Sequence, residues 1–203
     1  MDKMKSTAKK LDVFFRILEI VSIIAWIMAL VGVAIALVGV IFKMDPEVIG
    51  TGYGSLELGF VELQVAGNQI PDINLLLLQI AIVMALSAVF MVVMWQTFKQ
   101  VRKLLVPMIQ GEPFHGVVGA GLKKLALMSV ILGVLGNAVI LVEQLFSVHT
   151  FDIPNLLLSD KITHVTTNFE FDLTFLVLAA VLLLMSYVFR YGEELQQLSD
   201  ETL

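Results

Sequence analysis

The amino-acid sequence predicts an all-α membrane protein with four transmembrane helices, both termini in the cytoplasm, and a small antiparallel β-sheet formed by its two extracytoplasmic loops. Three observations support this fold class. Hydrophobic residues make up 58% of the chain, and the mean hydropathy is +0.91, whereas soluble domains are only about 45–50% apolar. Four apolar runs approach or exceed the roughly 20 residues that cross a bilayer. The basic residues are very unevenly distributed between these runs.

The distribution of Lys and Arg predicts the orientation of the chain. Five basic residues precede the first apolar run, five lie between the second and third runs, and one follows the fourth. Each of the two remaining connections contains a single Lys. Because Lys and Arg are retained on the cytoplasmic side, both termini and the middle connection are predicted to be cytoplasmic. The formal net charge of −5 adds little, since Asp and Glu hardly affect orientation.

Residues 1–203 are predicted to form a single four-helix membrane domain. The first apolar run, Ile20 to Phe42, is too long for a signal-peptide core, and no small-residue cleavage site follows it. The second helix is expected to end before Pro107, because proline removes a backbone donor. Lys123 and Lys124 are expected to extend from the third helix to the cytoplasmic surface. The predicted helices cover residues 8–42, 73–106, 117–146 and 172–197.

The connections are predicted to be two outer loops, residues 43–72 and 147–171, and a cytoplasmic loop, residues 107–116. Apolar positions alternate along residues 55–65 and change phase beside Gly59, which predicts a strand with a bulge. Residues 163–171 alternate without interruption, which predicts a second strand. Because a lone hairpin is marginally stable in water, strands of both loops are expected to pair in one sheet.

Three residues are candidate polar groups within the membrane: Glu19, Gln79 and Asn137. Glu19 could act as a proton relay, although an interfacial ion pair with Arg16, three residues earlier, is the favoured interpretation. Asn137, Gln79 and Ser87 could line a solute path. More often, such side chains form hydrogen bonds between helices.

The sequence contains no established catalytic or cofactor signature, so neither an enzymatic activity nor a cofactor is expected. It also has no Cys, which excludes disulfides and thiolate ligands. His149, His164, Asp152 and Asp160 could bind a divalent metal, but their spacing fits no ligand template. They are expected to be ordinary loop residues, and no metal site is predicted.

The segment from Lys99 to Lys124 contains five of the thirteen basic residues. It could bind anionic lipid headgroups or a cytoplasmic partner, although such clusters often only set topology. Arg190 in the tail could pair with Glu193 or Glu194, and tail and middle segment together would form a docking surface. The candidate partner or lipid contacts are Lys99, Arg102, Lys103, Pro113, Phe114, Lys123, Lys124, Arg190, Glu193, Glu194 and Asp200. Direct contact with nucleic acid is not expected.

Two motifs resemble a known family. Residues 111–114 read GEPF, and the tail reads VFRYGEELQQ at residues 188–197 and SDETL at residues 199–203. Together with the four-run layout, these motifs resemble the bacterial four-span membrane family known as domain of unknown function 2975. The resemblance implies a multi-pass protein of the bacterial inner membrane, often encoded beside a small helix-turn-helix regulator. It implies no established activity.

The sequence therefore leads to two hypotheses about function. The first is a regulatory or sensor component of the inner membrane that contacts a cytoplasmic partner, such as a small helix-turn-helix regulator. The alternative is a small transporter or a pore-forming subunit, against which the scarcity of intramembrane charge counts. A purely structural role and oligomer formation stay open.

Overall fold

The computed structural model describes residues 2–42, 53–58, 61–66, 73–111, 116–150 and 171–201. Four long helices account for most of these residues. Helix α1 is Asp2–Ile41, α2 is Ile73–Gln110, α3 is Gly116–Thr150 and α4 is Thr174–Glu201. All four are long and apolar enough to cross a membrane, which confirms the prediction of a four-span membrane protein. Many of their large apolar side chains are exposed, as expected for surfaces that face lipid.

Each helix is longer than its apolar run. Helix α1 has 40 residues and is therefore about 60 Å long, twice the roughly 30 Å of a bilayer core. Helix α3 continues past the end of its apolar run to Thr150. The other helical segments beyond the apolar runs lie at the start of α1, the end of α2, the start of α3 and the end of α4. We call them the helical extensions, and they comprise residues 2–19, 99–110, 116–124 and 190–201.

Helix α2 does not end at Pro107 as the sequence predicts. It continues through Pro107 to Gln110. Gly111 ends it in a left-handed conformation with φ 98°, and its N–H donates to the carbonyl of Pro107 at 3.0 Å. This is the αL arrangement of a helix C-terminus, in which glycine adopts positive φ without steric cost. Pro107 has no backbone N–H to donate, so α2 lacks one helical hydrogen bond there, but the helix continues.

The other helix boundaries also differ from the predicted ones. Helix α1 begins at Asp2 instead of residue 8, α3 ends at Thr150 instead of residue 146, and α4 runs from Thr174 to Glu201 instead of from residue 172 to 197. The differences arise because polar flanking residues continue a helix whenever neighbouring helices stabilise it, and hydropathy alone does not reveal this.

The chain divides into two compact units, each described separately. The first contains the described residues within 1–27, 88–137 and 171–203, and the second those within 28–87 and 138–170. In the first unit, consecutive helices pack antiparallel. Positions 12, 15 and 19 of α1 contact positions 102, 98 and 95 of α2, and positions 119 and 133 of α3 contact positions 186 and 175 of α4. Its apolar core includes Leu104, Leu125 and Met128.

The second unit includes the remaining parts of α1, α2 and α3 and a β-hairpin. Gly32 of α1 lies against the side chain of Met84 on α2, and Ala36 is buried, so these small residues allow a close approach of the helices. Strands β1, Tyr53–Leu58, and β2, Val61–Ala66, pair antiparallel, with Leu58 opposite Val61.

The pairing corrects the prediction of one bulged strand in residues 55–65. The alternation changes phase beside Gly59 because one strand ends at Leu58 and a second, antiparallel strand begins at Val61. The second strand pattern, residues 163–171, falls largely outside the described residues. The sheet that would join both loops is therefore still a prediction.

Candidate functional site

A cluster of charged side chains joins the extensions of α1 and α2. The guanidinium of Arg102 binds two carboxylates of α1, with Nε 2.9 Å from Oδ1 of Asp12 and Nη1 2.6 Å from Oε2 of Glu19. The two acids are seven residues apart, so they lie two turns from each other on the same face of α1. The three side chains are only 16–24% exposed. We call this group the arginine cluster.

Glu19 has a second partner on α2. The indole Nε1 of Trp95 donates to its Oε1 at 3.1 Å, so both carboxylate oxygens accept hydrogen bonds from α2. The interpretation that Glu19 pairs with Arg16 is therefore wrong. Its partner is Arg102, 83 positions away in the sequence. A fully paired carboxylate at this position gives no indication of a proton relay.

The extension of α3 also contacts α4. The hydroxyl of Ser186 is buried and donates to the carbonyl of Gly119 at 2.7 Å. Two turns further along α4, the carboxylate of Glu193 lies over Gly116, so close that a Cβ there would be 2.5 Å from its Oε1. A negative charge beside the first residue of α3 interacts favourably with the helix dipole. The tail helix is thus held against the start of α3.

Arg190 pairs with Glu194, one of the two predicted partners. The distance from Nε to Oε1 is 3.6 Å, and the side chains are 73% and 60% exposed. An exposed pair of this kind contributes little to stability. Both side chains are therefore accessible to another molecule.

A cleft lies between α2 and α3 with a volume of about 300 Å³. Three lysines, Lys99, Lys103 and Lys124, line it. The Nζ of Lys99 is 5.6 Å from the ring centroid of Trp95, within the range of a cation–π interaction. The other lining residues are Gln96, Gln100, Trp95 and Met128. We call it the lysine cleft, and its charge suits an anionic ligand.

Asn137 connects α3 to the segment that precedes α4. Its amide nitrogen donates to the carbonyls of Gly133 at 2.8 Å and Asp172 at 2.9 Å, and its amide oxygen accepts from the Asp172 N–H at 2.9 Å. The carboxylate of Asp172 in turn accepts from the backbone N–H of Thr174 at 2.8 Å. Hydrogen bonds from the side chain and backbone of Thr174 lower the pKa of Asp172 below its usual value. The amide nitrogen and the amide oxygen of Asn137 are therefore both engaged, and they hold the segment that leads into α4.

The remaining predicted residues are distributed as follows. Lys123 is exposed on α3, and Gln79 is buried in the second unit. Asp200 lies in the last turn of α4, and His149 in the last turn of α3. Pro113, Phe114, Asp152, Asp160 and His164 fall outside the described residues. Within the described part of the chain, no group of three His, Asp or Glu side chains could hold a metal ion.

Sequence reasoning missed the role of Asp12. A signal was available, because Asp12 and Glu19 repeat at the seven-residue spacing that places side chains on one helix face. To predict the ion pairs from this spacing, it would be necessary to know which basic residue of another helix lies opposite Asp12 and Glu19. Lys99, Arg102 and Lys103 were predicted together as candidate partner or lipid contacts. Arg102 instead binds α1, while the two lysines line the cleft with α3.

Comparisons with known proteins identify no relative: no protein-family model, no curated protein and no solved structure matches this chain. The motif resemblance to the bacterial four-span family is therefore still a prediction. Inferences about function depend on the geometry of the helical extensions.

Proposed function

We propose that this chain is a regulatory or sensor component of the bacterial inner membrane that docks a cytoplasmic protein. The main supporting observation is the contact of the α3 extension with α4 through Gly119 and Ser186. Because this contact fixes the tail helix, exposed charges of both signs are presented on a rigid surface. We call it the docking surface, and it comprises the exposed residues Lys123, Arg190 and Glu194 and the half-buried Glu193. Pro113 and Phe114 lie outside the described residues and, like Asp200, stay candidate contacts from the sequence alone.

The length of the helices supports a role outside the lipid. A protein that only needed to anchor itself could end its helices at the bilayer surface, yet α1 and α2 continue for many residues. The arginine cluster stabilises these extensions where they leave the apolar runs. A helical platform beyond the membrane is suited to protein contact.

The resemblance in residues 111–114 and in the tail suggests what the partner is. It favours a small helix-turn-helix regulator, held at the membrane by the docking surface. In this proposal the two outer loops form the sensing element, and their strands pair in one sheet. The signal would then pass along the helices to the platform.

A small transporter or pore has less support. A solute path needs polar groups that face an open space, but Asn137 is fully engaged by backbone groups of Gly133 and Asp172. Ser129 donates to the carbonyl of Phe175 at 3.4 Å. In the part of the chain that the structure describes, no buried side-chain nitrogen or oxygen lacks a hydrogen-bond partner. These polar groups connect helices.

The orientation can be tested with single cysteines, since the natural chain contains none. Ser6→Cys places a thiol in the α1 extension, and Ser55→Cys places one in the first loop. We expect a membrane-impermeant maleimide to label Ser55→Cys in intact cells, and Ser6→Cys only after permeabilisation, because basic segments stay in the cytoplasm. The reverse labelling pattern would contradict the orientation.

The docking surface can be tested by affinity purification from native membranes with quantitative mass spectrometry. We expect the intact chain to enrich a small soluble DNA-binding protein. The double variant Arg190→Gln/Glu194→Gln should recover several-fold less of it, although the loss of an exposed pair costs less than about 1 kcal/mol of stability.

The matched control is Arg16→Gln/Glu143→Gln, which also removes one charge of each sign from exposed positions on other helices. We expect this control to retain the partner. Equal recovery of the partner with both double variants would show that the docking surface does not bind it. If the intact chain enriched no soluble protein above an unrelated membrane protein, the regulatory proposal would be wrong.

A further inference from the structure

The lysine cleft lies where the apolar runs meet the helical extensions. Trp95 and Met128 belong to the apolar runs of α2 and α3, while Lys99, Lys103 and Lys124 belong to the extensions. Met128 is buried against Leu104 and Leu125. The cleft therefore has an apolar end and a cationic end, and the boundary between them coincides with the predicted edge of the bilayer.

The cleft carries three positive charges, one of which, on Lys99, interacts electrostatically with the Glu19 carboxylate. None of its three lysines lies within 4.0 Å of a carboxylate among the residues that the structure describes. Asp12 and Glu19 are bound directly by the guanidinium of Arg102 and not by a cleft lysine. Gln96 and Gln100 add amide donors to the lining. Lysine is a compact cation that binds phosphate as a point charge.

We propose that the lysine cleft binds the phosphate headgroup of an anionic phospholipid, with the acyl chains against Trp95 and Met128. An amphiphilic lining at the membrane boundary matches a molecule whose phosphate is covalently attached to apolar chains. A soluble phosphate would use only the cationic end. This inference does not rest on the proposed docking of a partner, because the docking surface includes none of the residues that line the cleft.

Trp95 provides a local reporter of the lipid in the cleft. The chain has two tryptophans, so Trp26→Phe leaves Trp95 as the only one. This protein is reconstituted in mixtures of dioleoylphosphatidylcholine and dioleoylphosphatidylglycerol, in which one lipid at a time has brominated chains that quench indole fluorescence. We expect Trp95 to report a preference for phosphatidylglycerol of about fivefold or more, the scale of one lysine's attraction to anionic lipid.

A triple variant tests whether the cleft lysines cause this preference. In the Trp26→Phe background, Lys99→Gln/Lys103→Gln/Lys124→Gln should reduce the preference to near one. The matched control, Lys5→Gln/Lys9→Gln/Lys10→Gln, removes the same charge from the α1 extension and should keep the preference. Replacement of all three cleft lysines by Arg should also keep it. The single variant Lys124→Gln, which leaves α2 unchanged, should lose part of it and serves if the triple variant fails to fold.

Three outcomes would overturn the proposal. The first is equal quenching by the two brominated lipids in the Trp26→Phe protein. The second is an equal loss of preference in the cleft variant and in the α1 control, which would indicate attraction to the anionic surface as a whole. In the third, added inorganic phosphate would abolish the preference when chloride of the same ionic strength does not. That result would assign the cleft to soluble phosphate.

Discussion

Replacement of Arg102 by Met should lower the free energy of unfolding by about 2 kcal/mol, because it leaves Asp12 and Glu19 without their shared cation. Removing one partner from a fully buried ion pair costs about 3–5 kcal/mol. The smaller figure reflects side chains that retain 16–24% exposure. Denaturation of the purified protein in micelles, followed by circular dichroism, measures the change. A chain of this length should melt about 4–8 °C lower.

The control for this prediction is Arg16→Met. Arg16 is exposed on α1 and forms no ion pair among the described residues, so its loss should change stability by no more than about 0.5 kcal/mol. The variant Arg102→Met/Asp12→Asn/Glu19→Gln should recover much of the loss, since no unpaired charge is left. Equal stability of Arg102→Met and Arg16→Met would show that the arginine cluster contributes nothing.

The second large effect concerns two glycines of α3. In Gly133→Ala the new methyl group would overlap the ring of Phe175 on α4, and overpacking of this kind costs about 1–3 kcal/mol. In Gly136→Ala the nearest atom is Cε2 of Phe90 at 3.8 Å, an ordinary contact. There the gain in helix propensity should leave the protein unchanged or stabilise it by up to about 1 kcal/mol.

The two alanine variants therefore should change stability in different directions, although their positions are one turn apart in the same helix. Both are measured by the same denaturation, with the natural chain as reference. A similar small change in both would mean that α4 does not pack on Gly133 as described. A larger loss in Gly136→Ala than in Gly133→Ala would contradict the packing of α3 against both neighbours.

Four membrane helices could be predicted because hydropathy is a sum over many residues, and no single position decides it. The residues at which the helices begin and end could not be predicted in this way, because they depend on contacts with other parts of the chain. Pro107 usually ends a helix, yet α2 continues to Gly111, whose positive φ allows the terminal hydrogen bond. Helix α2 thus continues past the residue at which the local rule predicts its end, and it ends one turn later at Gln110.

The candidate site shows the same limit. A sequence shows which charged residues lie three or four positions apart and could form ion pairs within one helix. For this reason Arg16 was the favoured partner of Glu19, and Glu194 was one of the two predicted partners of Arg190. The second of these pairs forms, whereas Glu19 binds Arg102. Pairing between distant helices depends on how the helices are aligned, and one sequence does not encode that alignment in any local pattern. For the same reason, the sequence did not indicate that Lys124 of α3 lines the same cleft as the two lysines of α2.

The geometry of the arginine cluster limits how α1 can move. The guanidinium of Arg102 binds two carboxylates of α1 that lie two turns apart. If α1 slid along α2 by a single turn, both ion pairs would therefore be broken at once. The two contacts together therefore oppose sliding of α1 along α2, and such a shift would lose the stabilisation that both ion pairs provide.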